Sequence, residues 1–400
     1  MVTIFRNVAL GDSATSTQTS SVNEPTVAAA GRQVFITGNW FASRSSTSGN
    51  AWTHIDPFTT FPAAAGGFCC DQVALYDPGR QIWLWLLQYI ASGGGNVFRM
   101  AVANSSGGPW AWWDFAPTNL NAQWTDMWFD YPDAALSTEH LYITFNAFNA
   151  ANNWLRAFAF RMPLADLAAR GNPGYQWWTT TSHGSLRLTQ GATTDMYFAS
   201  HNGGRVVRVF RWPSGTGNIT SFNVTTSAWN AGPYNAAGPG GNNWLARADS
   251  RITGAWLVGR QAGFMWMASP QAGRPRPYVK IVVVDVQTRA IVEEPDLWST
   301  VGTWGYPVAG VSSDGRVGIS LFYGTSQHHP SHIVGVRSGN SWDTSITATS
   351  THGPTTGTWG DYLSCRPHPA RAGSWAASGY TLQGGTGRLN IEPRYVHFGP

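Results

Sequence analysis

The 400-residue chain is poor in charge, almost without lysine, poor in cysteine, and free of long apolar runs. Charged residues make up 12% of it, and Lys280 is the single lysine among 25 basic residues, the rest being arginine. No basic run interrupts the sequence, so a phosphate-neutralising face, and with it a nucleic-acid partner, is not expected. The arginine bias suits a GC-rich genome and, equally, bidentate recognition of carboxylates. No apolar stretch reaches the ~18 residues of a membrane-crossing helix, so no transmembrane segment is expected. The opening Met1-Val2-Thr3-Ile4-Phe5-Arg6-Asn7 does not read as a secretory leader. Three cysteines do not build a disulfide framework. Helical periodicity is also nearly missing; the best candidate is Pro163 to Arg170, two turns at most.

Trp, Gly and Pro are what the chain has instead: 22, 45 and 23 of them, dispersed among short alternating strands. That distribution reads as all-β rather than disordered. One pattern recurs, a strand whose first residues are acids, phenols or other polar groups. It appears as Asn23-Glu24-Pro25, Cys69-Cys70-Asp71, Asp130-Tyr131-Pro132, His183-Gly184-Ser185, Asp249-Ser250-Arg251, Gly305-Tyr306-Pro307 and Gly360-Asp361-Tyr362. The strand starts fall near residues 24, 71, 132, 186, 250, 306 and 361. A period of roughly 50 residues with about four strands each is the signature of a β-propeller. Seven starts predict seven blades in one domain over residues 1–400. Val2 to Leu10 is a spare strand before the first blade, followed by a Ser/Thr-rich linker. The last blade supplies only three of its own, Asp361–Arg366, Ser374–Leu382 and Arg388–Phe398. The N-terminal strand is therefore expected to complete it and close the ring, which removes an exposed sheet edge.

The segment Ser45-Ser46-Thr47-Ser48-Gly49-Asn50-Ala51-Trp52 resembles the Asp-box of sialidase-type propellers, Ser-x-Asp-x-Gly-x-Thr-Trp, with Thr47 where the acid stands. Weaker echoes are Ser105–Trp110, Pro173–Trp177 and Ser338–Trp342. The resemblance implies the propeller fold, with Gly for a tight hairpin and Trp for packing between blades. Asp-boxes occur in hydrolases, lyases and binding proteins alike, so the chemistry has to come from the site. Propeller sialidases grip a carboxylate with three arginines and use a Tyr/Glu nucleophile pair; this sequence does not place three arginines on one face.

Every inner strand of a propeller begins at the same face. Asp71, Asp130, Tyr131, His183, Arg251, Tyr306, Asp361 and Tyr362, with Glu24, are thereby predicted to meet around the central opening, and His201 joins them from a loop between second and third strands. Each has a plainer alternative, since an Asp at a strand start often makes an Asx-turn and Tyr-Pro often packs. His328-His329-Pro330-Ser331-His332 has metal-ligand residues, but adjacent side chains of an extended segment point apart; no metal or other cofactor is expected. Cys69-Cys70 can close a vicinal disulfide at the rim of the opening or remain two thiols. The expected function is a carbohydrate-active propeller that binds or cleaves an acidic polysaccharide, located outside the cell or on its surface. As a lyase it would use Arg251 against a uronate carboxylate, His183 or His201 as base and Tyr306 or Tyr362 as acid. A glycosidase would instead need two carboxylates about 5–10 Å apart. Substrate binding is assigned to Asp71, Asp130, Tyr131, Arg251 and Asp361. The alternative is a non-catalytic binding or structural propeller.

Overall fold

A computed structural model describes every residue except 237 and 356. The short strands form seven antiparallel sheets of four. Six of them run in chain order from the inner strand to the outer, and the fold is a seven-bladed β-propeller. The inner strands are Thr26–Ala30, Phe68–Asp77, Trp128–Leu136, Arg187–Leu188, Ile252–Val258, Gly302–Val311 and Cys365–Pro367, for blades 1 to 7. The expected two-turn helix is present as Leu164–Ala169. Among the described residues no helix is long and apolar enough to cross a membrane.

Strand composition follows position in the blade. Ile82–Tyr89, the second strand of blade 2, is buried at every residue because another blade covers each of its faces. The outermost strand Ser341–Thr349 keeps one face in solvent and alternates accordingly. Inner strands of neighbouring blades do not ladder to one another, so polar side chains satisfy the backbone at the seams. Thr26 Oγ1 accepts from the Ala74 amide at 2.9 Å, Asp133 from Leu188 at 2.9 Å and Ser364 Oγ from Val27 at 2.8 Å. Tryptophans fill the wedges. Trp375 of blade 7 lies against Gly318 of blade 6, where an added Cβ would come within 2.6 Å of the indole.

The spare strand closes the ring. Thr3–Ala9 pairs antiparallel with Ile391–Gly399, and blade 7 takes the order inner, second, third, N-terminal strand. The sequence Ser45 to Trp52 forms the hairpin between the third and fourth strands of blade 1. There Ser45 Oγ accepts from the Gly49 amide and Thr47 Oγ1 from the Ala51 amide, both at 2.9 Å, and Trp52 lies edge-on to Tyr395 of blade 7. Two inner strands are shorter than their sequences imply. In blade 7 the ladder starts at Cys365 rather than Asp361, because the Ser364 amide turns to the Ser378 hydroxyl.

Irregularity concentrates where the inner strands begin. The register jumps from Phe68 to Gln72, from Asp130 to Asp133, from Ile252 to Gly254 and from Gly305 to Val308. The residues squeezed out are Cys69-Cys70-Asp71, Tyr131-Pro132, Thr253 and Tyr306-Pro307. Such bulges re-aim side chains that a regular strand would hold in a blade face. Glu24, Tyr131 and Tyr306 each precede a proline and adopt left-handed φ values of 47°, 56° and 51°. That conformation is costly for residues with a Cβ and recurs where function holds it in place.

Candidate functional site

Contacts between blades that are not neighbours in the ring can form only over its axis. Arg251 of blade 5 lies over the ring of Tyr131 in blade 3, 4.2 Å from its centroid. Tyr131 meets Tyr362 of blade 7 edge to face at 6.1 Å. Arg251 also reaches Asp361 of blade 7 at 3.4 Å and pairs with Asp249 at 2.5 Å. Arg247, in the long connection from blade 4 to blade 5, grips Asp361 from the other side, Nη2 to Oδ2 at 3.0 Å. Further down the inner strands, the Arg366 guanidinium of blade 7 donates to Gln190 Oε1 of blade 4 and so spans the axis below this group.

Beside the arginines sits an acidic half. The Glu24 and Asp71 carboxyls are within hydrogen-bond range of each other, with Asp361 and Asp130 close by. Burial, reinforced by the neighbouring carboxylates, raises Glu24 well above the usual carboxylate range. Burial is the main cause for Asp71 too, with Asp130 next, and pushes it to about 7. Two carboxyls at this range cannot both ionise cheaply, so the pair holds one proton between them near neutrality. The Tyr362 hydroxyl lies near enough to Asp71 to favour its charged form without making a full hydrogen bond. Tyr131, Tyr306 and Tyr362 have buried hydroxyls with no partner among the described residues. Burial holds the Tyr131 phenol up at about 12 and the Tyr306 and Tyr362 phenols well above their usual value, so all three are donors and none is a base. A buried hydroxyl of this kind calls for an acceptor, which a polar ligand can supply.

The axial group therefore contains Asp71, Asp130, Tyr131, Arg251, Tyr306, Asp361 and Tyr362 of the residues expected from sequence. The two histidines lie elsewhere. His183 packs edge-on against Phe210 within blade 4. His201 sits between Trp229 and Trp266, with its Nε2 on the Ser250 carbonyl at 2.8 Å, and burial lowers it to about 4. No contact joins either imidazole to the axial group among the described residues, so the base expected for a lyase is not beside Arg251. Nor do His328, His329 and His332 gather: His332 is buried between Ser320 and Thr347, and His329 faces His352. Sequence reasoning missed Arg247, whose position in the connection carries no repeat signal. Five carboxyls (Glu24, Asp71, Asp130, Asp249, Asp361) lie about Arg247 and Arg251, both already paired.

Cys69 and Cys70 form a vicinal disulfide in the blade 2 bulge, and Cys365 is a buried free thiol. The bulge sends Asp71 towards the axis, and Cys69 lines a cavity at the seam with blade 3.

No family model matches the chain, and no curated protein matches it. Solved structures align with it at low sequence identity. A protein of unknown function from Dyadobacter fermentans is 9% identical with a TM-score of 0.49, covering 100% of this chain and 99% of its own. The GH93 α-L-arabinofuranosidase of Fusarium graminearum is 10% identical, with a TM-score of 0.46 and coverage of 98% and 97%. The subtype N10 neuraminidase-like protein of a little yellow-shouldered bat strain is 10% identical, with a TM-score of 0.44 and coverage of 80% and 96%.

Proposed function

We propose that this protein is a carbohydrate-active propeller that hydrolyses a neutral glycan at the axial opening. The observation that carries the reading is the proton-sharing Glu24–Asp71 pair beneath three unpartnered phenols. The Glu24–Asp71 pair acts as a single acid, its proton passing to the glycosidic oxygen as the bond to the anomeric carbon breaks, and the second, separate carboxylate that hydrolysis needs is Asp130. Water then adds to that carbon and returns a proton to the pair, so the enzyme ends as it began. Positive charge develops on the sugar ring in the transition state. The surrounding excess of carboxyls stabilises it, whereas a uronate or sialate would meet repulsion. Tyr131, Tyr306 and Tyr362 donate to sugar hydroxyls, and Asp361, fixed between Arg247 and Arg251, completes the negative wall. A glycan substrate of this kind fits a location outside the cell or on its surface.

The test is release of reducing sugar from a panel of neutral and anionic polysaccharides, with Glu24→Gln and Asp71→Asn as controls. Each substitution is expected to lower kcat/KM by roughly 10²–10⁴. A second reading, a non-catalytic glycan-binding or structural propeller, is favoured by depth, since Glu24, Asp71, Asp361 and the three phenols are each less than a tenth exposed. Binding of neutral glycans without release of sugar from any of them would establish that reading instead.

A further inference from the structure

A cavity of about 360 Å³ opens between blades 2 and 3, beside the axial group and separate from it. That volume is at the low end for small-ligand sites and accommodates a sugar unit. Its walls include Cys69, Gln88, Ile90, Trp128 and Asn152, and none of its lining residues is Asp, Glu, His, Lys or Arg. We propose that this cavity is a subsite for an uncharged sugar ring, the unit next to the one held at the axis. The proposal rests on the glycan reading above.

Three features of the walls carry it. Gln88 is 3% exposed, and its Nε2 donates to Asp130 Oδ1 at 2.9 Å. A carboxylate accepts only from the amide nitrogen, so the orientation of Gln88 is fixed and its Oε1 is left as a buried acceptor with no partner among the described residues. A ring hydroxyl supplies the missing donor. Trp128 offers an indole wall, held by Nε1 donating to the Asn149 carbonyl at 2.9 Å and by Phe148 at 5.3 Å. An indole so anchored loses little freedom on contacting the apolar face of a sugar. Cys69, tied to Cys70 by a covalent bond, supplies a further compact wall of low polarity.

Geometry ties the cavity to the axial acids. Gln88 contacts Asp130, and Asp130 is the charged neighbour that most raises Asp71. A ligand touching Gln88 Oε1 therefore sits two side chains away from the proton-sharing pair.

The experiment uses the Glu24→Gln protein on an array of neutral, uronic-acid-containing and sialylated oligosaccharides, with calorimetric titration of the neutral glycans that bind. Trp128→Ala in that background is expected to weaken neutral oligosaccharides tenfold or more and to leave a monosaccharide unaffected. Trp128→Phe should restore most of the loss, which a general folding defect would not allow. Gln88→Leu should weaken the same oligosaccharides. Unchanged affinity in Trp128→Ala, binding confined to anionic glycans, or no binding at millimolar concentration each overturns the subsite. Hydrolysis by the parent protein is measured separately. If Glu24→Gln hydrolyses as fast as the parent, the catalytic reading falls while the binding result still decides the subsite.

Discussion

Glu24 is held in a left-handed backbone conformation, and its carboxyl lies in a buried site beside two other carboxyls. Both features oppose folding, so replacing the carboxyl should help stability while removing function. The sign follows from linkage. A carboxyl whose folded pKa is raised keeps its proton in the native state after the unfolded chain has released it. Its contribution is therefore present below about pH 4 and is lost as pH rises through the folded value, about 7 for Asp71. Glu24→Gln or Asp71→Asn is thus expected to raise the melting temperature by a few degrees at pH 8 and hardly at all at pH 4, for a gain on the order of 2 kcal/mol. Melts of parent and variant at the two pH values check this, and equal shifts at both would contradict a shared proton. Activity should fall only as alkaline pH strips the remaining shared proton from Glu24, which burial and the neighbouring carboxylates raise well above the usual carboxylate range. Arg251→Lys keeps the charge but not the fork that spans Asp249 and Asp361, nor the stacking on Tyr131. It is expected to cost about 1–3 kcal/mol of stability and to slow hydrolysis of a neutral glycan. A variant indistinguishable from the parent in both respects would show that the guanidinium geometry is dispensable.

The inner-strand start is the element that makes the site, and it was also the most legible part of the sequence. An acid or phenol where a strand should open apolar marked Asp71, Tyr131, Tyr306, Asp361 and Tyr362 before any coordinates. The bulges that project several of them were not legible, because irregularities of one or two residues leave no periodic trace. Histidine content misled in a simple way. His183 and His201 start from the right face, but aromatic neighbours hold their rings within blades 4 and 5. Arg247 was invisible because the connection carrying it matches no repeat. At this scale the adjacent cysteines make a clean chemical prediction. Denatured without reductant, the protein should expose one alkylatable thiol, Cys365, and after reduction three. Mass spectrometry finding three from the outset would remove the vicinal bond and, with it, one wall of the proposed subsite.

The ring as a whole is held shut by one strand pair, and the acid sensitivity of the molecule should appear there. His397 lies on the strand Ile391–Gly399 that receives the N-terminal strand, and its ring stacks on His368 at 3.8 Å. Around the pair stand Phe5 at 5.0 Å, Ser374 Oγ at 2.9 Å from His397 Nε2, and Arg371, whose guanidinium lies over Phe5. Burial lowers His368 to about 4; burial, with His368 and Arg371 nearby, lowers His397 to about 3. Among the described residues no carboxylate stands against these two stacked imidazoles to accept their charge. The unfolded chain takes up protons near pH 6.5 while the native pair refuses them until about pH 4, so stability falls with pH across that window and flattens below it. His201 and His332, lowered to about 4 and about 3 by burial, act in the same sense elsewhere in the ring. In a Glu24→Gln, Asp71→Asn background, which removes the opposite pH dependence of the acid pair, the melting temperature should therefore drop from pH 7.5 to pH 4.5. His397→Phe, which keeps an aromatic ring on His368 and Phe5, should lose part of that slope and no more. Deleting residues 1–12 should lower the melting temperature at every pH, because it leaves the Ile391–Gly399 edge unpaired. A slope unchanged in His397→Phe would move the acid sensitivity away from the closure, and an unchanged melting temperature on deletion would mean that the ring does not depend on its N-terminal strand.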